Sequence, residues 1–138
     1  MRVLAVDFGF KRIGLAMGET DHGIATARPN MTANGSLRAD AEQISQLAKR
    51  EMAERIVLGL PLDPDGTEGR MARICGQLAG HLEALGWTVS LIDERLSSKS
   101  AEVVLREEGL KASQRRKRVD GEAAVTIFEM FIHEQAPS

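Results

Sequence analysis

The sequence predicts an α/β fold, a mixed five-stranded sheet flanked by helices, on three observations. Continuous apolar runs, Val3 to Val6 and Ile56 to Leu60, suit strands buried on both faces. Segments with apolar residues at helical spacing separate the later runs, so strand-helix-strand crossovers make those strands parallel to the first. Acids stand where the runs end, and in such sheets a site lies beyond the carboxyl ends of the parallel strands.

The first strand ends in Asp7 and then Gly9, a turn signal. Ile13 to Met17 reads as a second strand, punctuated by Gly9, Gly14 and Gly18, and Gly23 to Ala27 as a weaker third. Short links make these three an antiparallel meander. The period then changes: Leu37, Ala41, Ile44 and Ala48 form one helical stripe, entered through Asn34-Gly35-Ser36. Pro61 and the Asp63-Pro64-Asp65-Gly66 turn close the next strand. A second helix carries Met71, Ile74, Cys75, Leu78, Leu82 and Leu85, with Gly86 at its C-terminal cap. Trp87 to Asp93 returns to strand. Ser97 or Ser98 caps a short helix reaching about Leu105, and Asp120 opens a final helix with Ala124, Ile127, Phe128 and Phe131 on one face.

A chain of 138 residues fits one domain, 1–138, with a self-sufficient core and no need of disulfides or structural zinc. The start reaches Asp7 after four apolar positions, too short for a signal peptide or membrane span, so a cytoplasmic location is expected. The single cysteine, Cys75, sits among apolar residues at helical spacing and reads as a buried core thiol. A formal charge of −2 and a pI near 5.9 argue against coating nucleic acid with the whole surface. Any such binding is local. Lys111, Arg115, Arg116, Lys117 and Arg118 supply it in one stretch without an acid, although an ordinary solvated loop has the same composition.

Asp7 ends the first parallel strand, Asp93-Glu94 end the last, and Asp120 starts a helix. The topology can bring these ends together. Crowded acids repel unless cations neutralise them, and hard oxygen ligands favour Mg²⁺ or Mn²⁺. Two such ions can activate a water and stabilise the leaving oxygen of a phosphodiester. Each acid also has a plainer reading: Asp120 as a helix cap, Asp93 as a partner of Arg95. Asp7 is harder to dismiss, because a carboxylate ending an apolar strand is desolvated unless paired or bound to metal.

Other chemistries fit poorly. The three histidines, His22, His81 and His133, form no zinc spacing. Gly9 and Gly14 have P-loop spacing, but Leu15-Ala16 stands where Lys-Ser/Thr belongs, and the dinucleotide glycine pattern is absent.

Val6-Asp7-Phe8-Gly9-Phe10-Lys11-Arg12-Ile13-Gly14, Val57-Leu58-Gly59-Leu60-Pro61 with Asp65-Gly66, Asp93-Glu94-Arg95-Leu96-Ser97, and Val119-Asp120 with Ala123-Ala124 closely resemble the YqgF/RuvX family over nearly the whole chain. The resemblance implies a ribonuclease-H-like, RuvC-like fold. It also implies a role as a Holliday-junction resolvase or as a nuclease trimming the 5′ end of precursor 16S ribosomal RNA. It carries catalysis and metal binding to Asp7, Glu94 and Asp120, with Asp93 as a further ligand candidate. Phe10 departs from the small polar residue common there, and Gly121 from a Ser or Asp.

The expected function is therefore a nuclease using Mg²⁺ or Mn²⁺, two ions in all, on structured RNA, with branched DNA as the competing substrate. Candidate nucleic-acid contacts are Lys11, Arg12, Arg95, Lys111, Arg115, Arg116, Lys117 and Arg118. No membrane partner is expected, and a homodimer is compatible with the sequence. A non-catalytic assembly factor keeping the fold is the other class, against which the retained acids speak. An actin-like ATPase or sugar kinase also opens on Asp-x-Gly, but closes two such domains over its nucleotide.

Overall fold

The computed structural model describes residues 1–96 and 120–135. The strands β1 (Arg2–Phe8), β2 (Arg12–Glu19) and β3 (Ile24–Thr32) precede helix α1 (Leu37–Arg50), and β4 (Arg55–Leu60), α2 (Arg70–Ala84) and β5 (Val89–Asp93) follow it. A single 3₁₀ turn, Glu94–Leu96, ends this part, and helix α3 (Glu122–Gln135) closes the described chain. The sheet order is β3-β2-β1-β4-β5. β1, β2 and β3 are antiparallel neighbours, whereas β4 runs parallel to β1 and β5 parallel to β4.

Side-chain alternation along the strands divides the apolar residues between two faces. Leu4, Val6 and Phe8 of β1 join Ile13, Leu15 and Met17 of β2 and Ile56 and Leu58 of β4 beneath α1 and α2. Val3 and Ala5 point the other way, with Ala16, Val57 and Ile92, and are covered by Ala124, Ile127, Phe128 and Phe131 of α3. Three layers result, α1 and α2 on one side of the sheet and α3 on the other. The expected α/β fold, with its antiparallel meander and parallel crossovers, is the one observed.

Local chemistry sets the element ends. Ser36 caps α1, its Oγ accepting from the Ala39 amide at 3.3 Å. β3 runs well past the Gly23 to Ala27 segment expected from the sequence, to Thr32. It is an edge strand whose register shifts opposite Gly14, which accommodates Pro29 where a central strand would not. Trp87 lies before β5 rather than in it, its indole N–H donating to Ser45 Oγ at 2.8 Å. Asp120 lies in a turn, two residues ahead of the helix it was expected to open. The short helix expected from Ser97 or Ser98 falls outside the described residues.

Packing under α3 depends on one missing side chain. Phe128 lies so close to Gly18 of β2 that a Cβ there would stand 2.1 Å from the ring. Gly18→Ala should therefore destabilise the fold by about 1–3 kcal/mol through overpacking, read as a lower urea midpoint. Phe128→Leu in the same chain should recover part of that loss, since it removes the clashing ring. Equal midpoints for the wild type and Gly18→Ala would contradict this packing.

Candidate active site

Asp7 ends the apolar run of β1 on the α3 face, the parity of Val3 and Ala5. It pairs with Gly14 of β2, and a Cβ at Gly14 would lie 3.4 Å from the Asp7 Cβ and 3.7 Å from its Oδ2. On β4, Gly59 clears a second space. A Cβ there would lie 3.2 Å from the Glu94 carboxyl and 2.6 Å from Ile127 Cδ1. Glycine weakens a strand interior, and in a buried strand it marks a close approach. Here the approaching groups are the Glu94 carboxyl and the wall of α3.

Glu94 stands two residues beyond Ile92, which faces α3. Its neighbour Asp93 is turned to other work. The Asp93 carboxylate accepts from Arg95 Nε at 3.1 Å, from Nη2 at 2.8 Å and from the Arg95 amide at 3.0 Å, which holds it below the usual carboxylate range. Glu94 is in the opposite situation. Burial, and then the charges of Asp7 and Asp93, push its carboxyl up from 4.5 to about 7. Asp7 and Glu94 thus share one poorly hydrated space.

Asp120 is placed differently. Its carboxylate accepts from the Asn30 amide and from Asn30 Nδ2, both at 3.1 Å. Asn30 belongs to β3, two strands from β1, a separation of about 10 Å across the sheet. Gly121 fixes the backbone beside it: φ is +76°, and a Cβ would meet Leu15 O at 2.6 Å. That steric requirement accounts for glycine at this position. The structure therefore brings Asp7 and Glu94 together and leaves Asp120 apart. Among the described residues no three His, Cys, Asp or Glu side chains converge on one metal position.

The cations sit around the same end of the sheet. Lys11, in the turn joining β1 to β2, and Arg12, the first residue of β2, are exposed. Besides pairing with Asp93, Arg95 donates from Nη1 to Pro64 O at 3.3 Å, which ties the end of β5 to the loop between β4 and α2. In that loop the Asp65 carboxylate accepts from the amide and hydroxyl of Thr67. The run from Lys111 to Arg118 lies outside the described residues. Cys75 is buried, and burial with the nearby charges of Glu94 and Asp7 pushes its thiol up to about 12, the inert thiol expected from its spacing. Sequence reasoning missed Asn30, which no spacing singles out, and read Gly59 as part of a strand and of a family motif without its role in clearing space for Glu94.

The sequence profile described as "RuvX: Holliday junction resolvase" matches residues 1–134. The chain belongs to the RuvX family. It is 45% identical to a protein of Anaeromyxobacter sp. (strain K), over 99% of this chain and 100% of the other, and 39% identical to one of Syntrophomonas wolfei, over 96% and 94%. Both relatives carry the name "Putative pre-16S rRNA nuclease". Among solved structures, T. thermophilus RuvC in complex with a Holliday junction substrate superposes with a TM-score of 0.59 at 17% identity, covering 98% of this chain and 95% of that one. The large terminase nuclease of phage G20c gives a TM-score of 0.51 at 12% identity, over 94% and 55%. These likenesses establish the RuvC-like, ribonuclease-H-like fold expected from the family's motifs.

Stability carries the signature of the acid pair. A carboxyl raised in the folded chain favours its neutral form, so its contribution is fully present below 4.5 and is lost as pH rises through about 7. In EDTA, the urea midpoint of the wild type should fall relative to that of Glu94→Gln across this window. Parallel midpoints for the two chains would show that Glu94 is not raised.

Proposed function

We propose that this chain is a divalent-metal-dependent nuclease that hydrolyses phosphodiester bonds in the precursor of 16S ribosomal RNA, with Asp7, Glu94 and Asp120 as its catalytic acids. The observation that carries this reading is the juxtaposition of Asp7 and Glu94 in a space cleared by Gly14 and Gly59. Burial and the neighbouring charges of Asp7 and Asp93 disfavour the ionised Glu94 carboxyl, and hard oxygen donors placed together in this way suit Mg²⁺ or Mn²⁺. The residues fit such an ion. Asp7 and Glu94 would hold it, with Asp120 supplying a further oxygen once released from Asn30.

A bound ion of this class supplies an activated water and stabilisation of the charge on the phosphate. The protein's own part is positional. Ile127 and the α3 wall limit water over Glu94, the strand ends fix both carboxyl groups, and Arg95 orders the neighbouring loop while keeping Asp93 occupied. The family description and the relatives' names support a nuclease, and those names favour ribosomal RNA over branched DNA. No described helix is long and apolar enough to cross a membrane. The reading places the chain in the cytoplasm as a single domain.

Asp7→Asn and Glu94→Gln should each lower cleavage of labelled precursor RNA by several powers of ten with unchanged circular dichroism, while Asp93→Asn should cut nearly as well as the wild type. Mg²⁺ or Mn²⁺ should support turnover, EDTA should stop it, and Ca²⁺ should not sustain comparable rates. Wild-type rates in Asp7→Asn, or full activity in EDTA, would overturn the metal site. Preferential cleavage of four-way DNA junctions in the same assay would move the substrate from RNA to DNA.

The acids alone would repel a polyanion, so attraction falls to the cations of Lys111, Arg115, Arg116, Lys117 and Arg118, which precede Asp120 in sequence. Each neutralised phosphate contributes roughly 0.7–0.9 to the slope of log K against log salt. Replacing Arg115, Arg116, Lys117 and Arg118 with Ala should flatten that slope by about two to four, for RNA and DNA alike. Filter binding at several salt concentrations measures it, and an unchanged slope would return the run to ordinary surface.

A further inference from the structure

The aromatic residues around the site divide sharply in exposure. Phe8 is 8% exposed and packs in the core, and Trp87 packs against the same cluster with its N–H satisfied by Ser45. Phe10, three residues beyond Asp7, is 57% exposed and belongs to neither core cluster. Leaving a benzyl group in water forgoes the gain of burying it. Packing gives no reason for this side chain.

Its surroundings are nevertheless ordered. The turn that carries it is tight, since a Cβ on Gly9 would stand 2.7 Å from Arg12 O, and Lys11 O accepts from the Ala33 amide at 3.0 Å. Arg70, the first residue of α2, places its guanidinium carbon 5.6 Å from the centroid of the Phe10 ring, a cation-π arrangement. One ring face is therefore backed by a cation. Exposed Lys11, in the turn, and Arg12, which opens β2, follow directly. A fixed backbone, an exposed aromatic face and three cations form the combination that holds a single nucleic-acid strand: stacking for a base and charge for its phosphates.

We propose that Phe10, backed by Arg70, is a stacking platform for one unpaired base of the strand being cut, on the nucleotides beside the Asp7 and Glu94 pair. The inference rests on the nuclease reading and adds to it a substrate feature, an unpaired base flanking the cleavage position. Three residues of chain span at most about 11 Å from Cα to Cα, so the ring lies within reach of a nucleotide adjoining the site. Stacking uses the π-face common to all bases, so the platform selects for an unpaired base and not for its identity.

Fluorescence anisotropy with labelled single-stranded RNA and DNA of one sequence tests this, using the full chain carrying Asp7→Asn so that strands stay whole. Adding Phe10→Ala should weaken binding about five-fold or more, with native circular dichroism, and Phe10→Trp should restore it. An abasic residue stepped along the strand should weaken binding most at one position, and that penalty should disappear in Phe10→Ala. A loss confined to RNA assigns the base to a ribonucleotide strand, and an equal loss for RNA and DNA assigns recognition to the base alone. Unchanged binding in Phe10→Ala, or an abasic penalty that survives it, overturns the proposal. The nuclease reading fails separately, through absence of cleavage by the wild-type chain in Mn²⁺, which leaves these binding measurements untouched.

Discussion

Two like charges confined to one poorly hydrated space constrain everything around them. Asp7 and Glu94 approach from β1 and from the turn after β5, and β4 between them presents Gly59, without a side chain, beside the Glu94 carboxyl. Gly14 does the same on the other side of Asp7. Any larger residue at Gly59 would drive the Glu94 carboxyl or Ile127 away. The cost of holding the acids there appears as the raised Glu94 carboxyl. Arg95 is drawn instead to Asp93.

The division of labour between Asp93 and Glu94 follows from this face geometry. Ile92 is locked under α3, so the strand directs Asp93 away from the α3 face and returns Glu94 toward it at the following residue. Asp93 then meets solvent and the Arg95 guanidinium, and Arg95 carries the link onward to Pro64 O. An adjacent pair of acids thus serves two ends. One stabilises a loop and the other enters the shared space with Asp7.

The sequence made the centre of the sheet legible and its edges less so. Val3 to Val6 and Ile56 to Leu60 announce themselves because central strands are apolar on both faces, and each helix shows a stripe facing one layer. β3 carries Arg28, Pro29 and Asn30, so its pairing beyond Ala27 has no apolar signature, and only the meander's register reveals it. The sequence also carries Asp7, Glu94 and Asp120 without their separations. Parity along β5 alone cannot choose between Asp93 and Glu94, because the choice depends on the pairing of Gly59 with Ile92, a contact between segments far apart in the chain. Phe10 was visible as an aromatic, but its exposure and its pairing with Arg70 come from tertiary structure.

Asp120 shows how a residue can belong to a sequence motif and still stand outside the acid pair. Its backbone is held by Gly121, whose positive φ and contact with Leu15 O allow little displacement toward β1. Among the described residues its side chain is held by the neutral amide and Nδ2 donors of Asn30, both at 3.1 Å. Net hydrogen bonds to a charged group contribute about 1.5–3 kcal/mol each. The backbone anchor and the weak side-chain tether therefore act on different degrees of freedom. The main chain keeps Asp120 at the rim of the sheet, and on the proposed reading its carboxylate must give up Asn30 before it serves the acid pair.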